Sequence, residues 1–172
     1  MNGPARRAPG SGAPARTETG SMPPSLLLIE DTPSLQMVYR SVLAAAGFAV
    51  QVASTAAEGM RHFRTRPARI VLLDLLLPDG DGIALLDEML TRAPETCVVV
   101  MTAHGSVDRA VAAMRAGAHD FLLKPFEEQR FLSAIRAAAE ESTRRANGSA
   151  PPTRRSRTTP PDGTDRTGFI GS

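Results

Sequence analysis

Ser25-Leu26-Leu27-Leu28-Ile29-Glu30-Asp31-Thr32-Pro33 is the stretch from which the fold is read. Its first five residues form a short, nearly continuous apolar run. That is the pattern of a strand buried on both faces, as in a parallel sheet. Thr32-Pro33 then reads as a helix start, with a hydroxyl residue at the N-cap and a proline at the first helical position. The helix is expected to run to about Ala46, and Gly47 closes it as a glycine just past a helix end does. Two carboxylates lie at the junction of strand and helix.

The same alternation recurs four more times. Phe48–Val52 reads as a second strand, followed by a helix capped by Ser54 and running to about Thr65. Arg69–Leu73 is a third strand, with a helix over Ile83–Thr91. Thr96–Met101 is a fourth strand, with a helix capped by Ser106 and closed by Gly117. His119–Leu123 is the fifth strand, and Glu127–Glu141 is the last helix, acidic in its first turn. Five such units imply a doubly wound α/β fold, a parallel sheet covered by helices on both faces. Right-handed crossovers restrict its topology. The common order is 2-1-3-4-5, the flavodoxin-like arrangement, with ligands bound beyond the carboxyl ends of the strands.

Outside this segment the composition changes. Residues 1–24 are rich in Pro, Gly, Ala, Ser and Arg, and read as a disordered N-terminal extension. Residues 143–172 have the same character and read as a basic linker. The formal charge of +2 hides a division. Residues 25–142 carry 11 basic against 15 acidic side chains, net −4, while the two flanks are net +2 and +4. Arg154-Arg155-Ser156-Arg157 has the charge for nonspecific nucleic-acid contact, but no aromatic residue interleaves it, and a solvated linker is the simpler reading. The single cysteine, Cys97, lies in an apolar strand and cannot form an intrachain disulfide, which fits a reducing compartment and a cytoplasmic location. No apolar run approaches a membrane span, and the N-terminus lacks a signal-peptide apolar region. Met22 is a possible alternative start.

Polar residues collect at the carboxyl ends of the strands. The first strand delivers Glu30 and Asp31, the third Asp74, the fourth Thr102 and the fifth Lys124. The second, at the outer edge, ends in Ala53. Lys124 is the only lysine among 20 Lys and Arg. A lysine is a compact point charge where arginine is a planar fork, so it suits a cramped site that holds one anionic oxygen. Three carboxylates brought close repel each other, and a divalent cation resolves the conflict. Oxygen-only ligands around a site that keeps waters suit Mg²⁺. A positioned aspartate such as Asp74 can attack phosphorus and form an acyl phosphate. Lys124 and Thr102 would then take phosphoryl oxygens. Each residue also has an ordinary alternative: Asp31 as a helix cap, Asp74 as a loop acid, Thr102 as a strand end.

These residues resemble the receiver domain of two-component response regulators. The matching stretches are Leu28-Ile29-Glu30-Asp31, Leu72-Leu73-Asp74-Leu75-Leu76-Leu77-Pro78 with Gly82, Met101-Thr102-Ala103 and Lys124-Pro125-Phe126. The resemblance spans about 25–142. Met101–Phe126 is similar to the NtrC subfamily, and Glu30-Asp31-Thr32 with Tyr39-Arg40-Ser41 to its LuxO group of quorum-sensing regulators. The terminal Gly168-Phe169-Ile170-Gly171-Ser172 resembles the opening of that subfamily's AAA+ domain, so the chain is expected to stop where an ATPase would begin.

The resemblance implies roles. Asp74 would accept a phosphoryl group from a sensor histidine kinase or a histidine phosphotransfer protein. Asp31 would bind Mg²⁺ directly and Glu30 through water, with Asp74 and the backbone carbonyl of Leu76 completing the ligands. Thr102 and Phe121 would form the switch pair, and the Lys124–Pro125 bond would be cis. The fourth helix, fifth strand and fifth helix would form the output and homodimer face, with Arg109, Arg115 and Arg130 either serving such contacts or simply solvated. In full-length relatives the output is σ54-dependent transcription activation; this chain by itself would neither bind DNA nor act as a conventional enzyme. Leu76 and His104 flank the site where water would reach an acyl phosphate, and Leu76 cannot orient one, so the phosphorylated state is expected to be long-lived unless His104 offsets this. Three rivals remain. An aspartyl phosphatase needs an Asp two residues after its nucleophile, where Leu76 stands, although Asp79-Gly80-Asp81 has the spacing. A flavin binder would need a phosphate loop where Glu30-Asp31 stands. A receiver fold can also serve as a phosphorylation-independent binding module.

Overall fold

The computed structural model of the chain describes residues 23–103 and 107–148. The expectations placed on residues 1–22, on His104, on Ser106 as a helix cap and on residues 149–172, Gly168–Ser172 among them, lie outside the described residues. The strands are β1 (Ser25–Ile29), β2 (Ala49–Ala53), β3 (Ile70–Asp74), β4 (Cys97–Ala103) and β5 (Asp120–Lys124). The helices are α1 (Pro33–Ala45), α2 (Ala56–Thr65), α3 (Gly82–Arg92), α4 (Val107–Arg115) and α5 (Glu128–Ala146). The sheet order is β2-β1-β3-β4-β5, with every pairing parallel. This is the expected 2-1-3-4-5 arrangement.

Two cores flank the sheet because strand side chains alternate between its faces. On one face Ile29, Val71, Leu73, Val98 and Val100 pack with Phe63, Leu86 and Met89. On the other, Leu28, Leu72, Val99 and Met101 pack with Tyr39, Leu43, Phe131 and Ile135. Residues Ile70–Leu73 of β3 are completely buried, which explains why that strand is apolar throughout.

Local chemistry moves several boundaries from those expected. The Phe48 N–H closes the end of α1 on the Leu43 carbonyl, so β2 begins at Ala49. Thr32 holds the N-cap position, but its side chain makes no capping bond; its N–H donates to Glu30 Oε2 instead. Thr55, not Ser54, caps α2, its hydroxyl accepting from Glu58 N at 3.0 Å while Ser54 N donates back to the Glu58 carboxylate at 2.8 Å. A short antiparallel hairpin, Leu76–Leu77 with Gly80–Asp81, follows β3 and carries the chain into α3. Gly82 is needed there, because a Cβ on it would lie 2.6 Å from Leu75 Cα.

The largest difference is at α5, expected to end at Glu141 with the domain at 142, but continuing to Ala146. Polar Thr143-Arg144-Arg145 reads as the start of a flank, yet the Thr143 hydroxyl, and that of Ser142 before it, bond back to the Ala139 carbonyl. Glu141 accepts from Arg144 and Arg145, and Arg145 also donates to the Thr96 carbonyl at 3.1 Å. The last turn is thereby fastened to the start of β4.

Candidate functional site

Parallel strands in register bring their carboxyl ends to one edge. Ile29 pairs with Leu73, Asp74 with Met101, and Ala103 with Lys124. Glu30 N–H continues the ladder by donating to the Ala53 carbonyl. Glu30 is therefore held like a strand residue, with no exposed surface at all.

Lys124 stands at the centre of the edge. Its Nζ donates to Glu30 Oε1 at 2.7 Å and to Asp74 Oδ2 at 3.0 Å. Burial alone would push its ammonium toward a lower pKa, but the bonds to Glu30 and Asp74 outweigh that and raise it above the ordinary lysine value. The other carboxylate oxygens are also held: Glu30 Oε2 accepts from Thr32 N at 3.1 Å, and Asp74 Oδ1 from Leu76 N at 2.9 Å. Asp31 is exposed beside them. Carboxylate oxygens of Glu30, Asp31 and Asp74 all lie within 4.8 Å of one another. Three carboxylates facing one ammonium leave negative charge that only another cation or a proton can balance, and the donors are hard oxygens. The cluster has the donors to hold a metal ion.

Thr102 is buried at the same edge, two residues beyond Val100 on β4. Phe121 pairs with Val100, and Thr102 with Leu123, so Thr102 and Phe121 lie on one face of the sheet, one pleat apart. Phe121 is half-buried against the core that holds Val98 and Val100. The Leu76 side chain is 68% exposed, and its part in the site is through its backbone N–H. The Lys124–Pro125 peptide is cis. Among the described residues, the structure thus gathers Glu30, Asp31, Asp74 and Lys124 directly, with Leu76 by its backbone and Thr102 on the adjoining strand.

Other residues to which the sequence assigned no role also shape the site. Gln36 Nε2 donates to the Glu30 carbonyl and to Ser54 Oγ. Tyr39, Phe126 and Phe131 form an aromatic wall with ring centroids 5.3 Å apart in each pair. Burial raises the Tyr39 phenol pKa; Lys124 opposes that, and Glu30 and Asp74 reinforce it.

Asp79-Gly80-Asp81 does not form a second nucleophilic pair. Asp79 accepts from Ala56 N and Ala57 N at 2.7 and 3.0 Å, and those N–H groups hold its carboxyl below the usual range. Asp81 caps α3 through Ile83 N and accepts from Arg109 at 2.7 Å. The Arg109 contact, followed by the Ile83 N–H, lowers its pKa. Arg109, part-exposed, is thus engaged within the domain, because it also donates to the Leu75 carbonyl at 3.3 Å. Arg130 likewise grips the Asp120 carboxylate and the Phe121 carbonyl.

The chain matches the family described as the response regulator receiver domain over residues 26–136. It is 37% identical over 120 residues to the luminescence regulatory protein LuxO of Vibrio campbellii, covering 70% of this chain and 26% of that protein. It is 34% identical over 111 residues to the acid tolerance regulatory protein ActR of Rhizobium meliloti, covering 64% of this chain and 57% of that protein. The chain thus spans about a quarter of the length of LuxO. Among solved structures it resembles the signal receiver domain of a putative LuxO repressor protein from Vibrio parahaemolyticus (TM-score 0.69, 28% identity, 76% of this chain and 100% of that one). It also resembles the receiver domain of NtrX from Brucella abortus (TM-score 0.65, 33% identity, 67% of this chain and 98% of that one).

Proposed function

The chain belongs to the response regulator receiver domain family, whose members switch on phosphorylation, and on that premise we propose that Asp74 is its phosphoacceptor. One observation carries this reading: the sole lysine joins Glu30 and Asp74 at the carboxyl edge of the sheet, inside a group of three carboxylates. Asp74 ends a fully buried strand, so its carboxylate is fixed in position, and Leu76 N–H and Lys124 fix its orientation.

Donor identity supports Mg²⁺ as the metal. Glu30 already bonds Lys124 and Thr32, which suits it to act through water, and leaves Asp31, Asp74 and the Leu76 carbonyl to bind directly. Bound there, the ion would neutralise charge on a phosphoryl group. Asp74 forms a bond to phosphorus as the P–N bond of a phosphohistidine breaks, and the departing imidazole keeps that electron pair. Lys124 exchanges a carboxylate oxygen for a phosphoryl oxygen, and Thr102 supplies a hydroxyl. The donor is a sensor histidine kinase or a histidine phosphotransfer protein. The domain is a substrate in that transfer rather than a conventional enzyme.

The added charge, about −1.5 to −2, would be read by Thr102 and Phe121 and passed to the face made of α4, β5 and α5. Val107, Val111 and Met114 are exposed on α4 at one-turn spacing, which suits a homodimer contact. In a longer protein of the NtrC kind the output would be control of an AAA+ domain and of transcription. A cytoplasmic location belongs to the same proposed role; among the described residues, no helix is long and apolar enough to cross a membrane.

The test is incubation with Mg²⁺ and acetyl phosphate, followed by intact mass. Wild type should gain one phosphoryl group and Asp74→Asn none. Equal labelling of the variant would refute the assignment; turnover of a generic phosphate ester would favour the phosphatase.

A further inference from the structure

We infer that Arg109 is a latch which holds α4 in the unphosphorylated position, and that its release is part of the switch. This deepens the proposed function and rests on it. Arg109 lies in the first turn of α4, yet its partners belong to the segment that leaves the phosphoacceptor strand. One contact is the carbonyl of Leu75, the residue after Asp74, and the other is Asp81, at the far end of the hairpin. The guanidinium therefore ties the helix to both ends of the loop that a phosphoryl group on Asp74 would disturb.

Two further observations make this tie consequential. Helix α4 is weakly held by its own packing. It buries only Ala110 and Ala113, while Val107, Val111 and Met114 face outward. Its neighbour α3 buries Leu85, Leu86 and Met89. A few polar contacts therefore decide where α4 sits, and regions with little apolar burial are the ones that rearrange most readily. The resting arrangement is also incompletely satisfied: among the described residues, the buried Arg109 Nε has no hydrogen-bond partner, although the terminal nitrogen is bonded twice. A buried unmatched donor favours any second arrangement that supplies an acceptor.

Leu75 needs Arg109 far less than α4 does. Its N–H is fixed by the Met101 carbonyl, its carbonyl also accepts from Gly82 N, and the Gly82 backbone presses against it. Removing Arg109 should therefore free the helix and leave the phosphoacceptor loop in place. The sign of the effect on ligand affinity follows. A latch that opposes the switched state lowers affinity for whatever stabilises that state, and by reciprocity its loss raises the affinity. A residue that merely positioned the site would do the opposite.

The experiment compares wild type, Arg109→Ala, Arg109→Lys and Asp81→Asn, with Mg²⁺ present and beryllofluoride titrated as the phosphoryl mimic. Asparagine caps helices as well as aspartate, so Asp81→Asn keeps the α3 cap while discharging the latch. Hydrogen exchange of α4 amides is followed in the resting protein, with β1 and β3 as internal controls. In Arg109→Ala and Asp81→Asn, α4 should exchange faster while the controls stay unchanged. The beryllofluoride concentration at half-saturation should fall by about fivefold or more, the low end of ordinary coupling between sites. Arg109→Lys, which can keep one contact, should lie between. Unchanged α4 exchange, or a higher half-saturation concentration, overturns the latch while leaving the phosphoacceptor assignment intact. Failure of wild type itself to respond to beryllofluoride would instead overturn the proposed function.

Discussion

Replacing Lys124 by methionine isolates the charge balance of the pocket. The stem is nearly isosteric, so packing changes little and the ammonium is lost. At an effective dielectric constant of about 20, unit charges 2.7 and 3.0 Å apart attract by roughly 6 and 5.5 kcal/mol. Most of that is offset by the cost of taking the ammonium and two carboxylates out of water, since Glu30 is 0% and Lys124 19% exposed at the side chain. Breaking a buried pair from one side usually costs about 3–5 kcal/mol. A second route limits the loss. The variant can take up a proton on one of the carboxylates left facing each other, and that uptake becomes easier as pH falls. The loss of stability should therefore be about 3–5 kcal/mol at pH 7 and shrink on acidification to pH 5. Urea unfolding followed by far-UV circular dichroism at pH 5, 6 and 7, without divalent ions, measures it. Mg²⁺ should then stabilise the variant by more than it stabilises wild type, because the ion replaces missing positive charge. A difference below about 1 kcal/mol at pH 7, or one that stays flat from pH 7 to pH 5, would refute the reasoning.

Other residues give independent checks. Gly82→Ala puts a methyl group against the Leu75 backbone at 2.6 Å, so despite the better helix propensity of alanine it should cost about 2 kcal/mol in urea unfolding. Leu76→Asn should leave stability within about 0.5 kcal/mol, the side chain being largely exposed, yet shorten the acyl phosphate lifetime by offering a group that orients water. Unchanged loss of label from that variant would remove Leu76 from the hydrolysis argument. At the end of α5, burial works against the Glu141 carboxylate, but Arg144 and Arg145 lower its pKa below the ordinary 4.5. A depressed folded-state value stabilises the protein above the unfolded pKa and loses that effect as pH falls through the folded one. Wild type should therefore exceed Glu141→Gln in stability at pH 7, with the gap closing on acidification below about pH 4.5.

The sheet order was legible because the strands are continuous apolar runs and the polar residues fall just past their ends. Glu30, Asp31, Asp74 and Lys124 could be placed together from topology alone, since parallel strands all deliver their carboxyl ends to one edge. What topology does not give is the partner of a long side chain. Arg109 reads as one more charge on an amphipathic helix, and only the hairpin after β3 brings Leu75 and Asp81 within its reach. Nothing periodic announces a pair of two-residue strands. The end of α5 is hidden for a related reason: Thr143–Arg145 has the composition of a linker, and the Thr96 carbonyl that anchors Arg145 is 49 residues away in the chain.

Where an added phosphoryl charge can act is set by what is able to move. Strand β3 cannot follow it, because Ile70–Leu73 are sealed on both faces and paired on both edges. On the side of α1 and α5, Tyr39, Leu43, Phe131 and Ile135 are buried, and large apolar side chains hold their helices by about 1.5–3 kcal/mol each. Helix α3 is held by Leu85, Leu86 and Met89. The two alanines of α4 contribute little more than a methyl group each, about 0.8 kcal/mol. A perturbation worth a few kcal/mol cannot dislodge the well-anchored helices without unfolding them, but it is comparable with everything that positions α4. If Asp74 takes the phosphoryl group as proposed, the direction of signalling would follow from unequal packing around a rigid sheet. Enlarging the buried face of α4, for instance by Ala113→Leu with a compensating smaller side chain in α3, should blunt the response to beryllofluoride without touching the pocket.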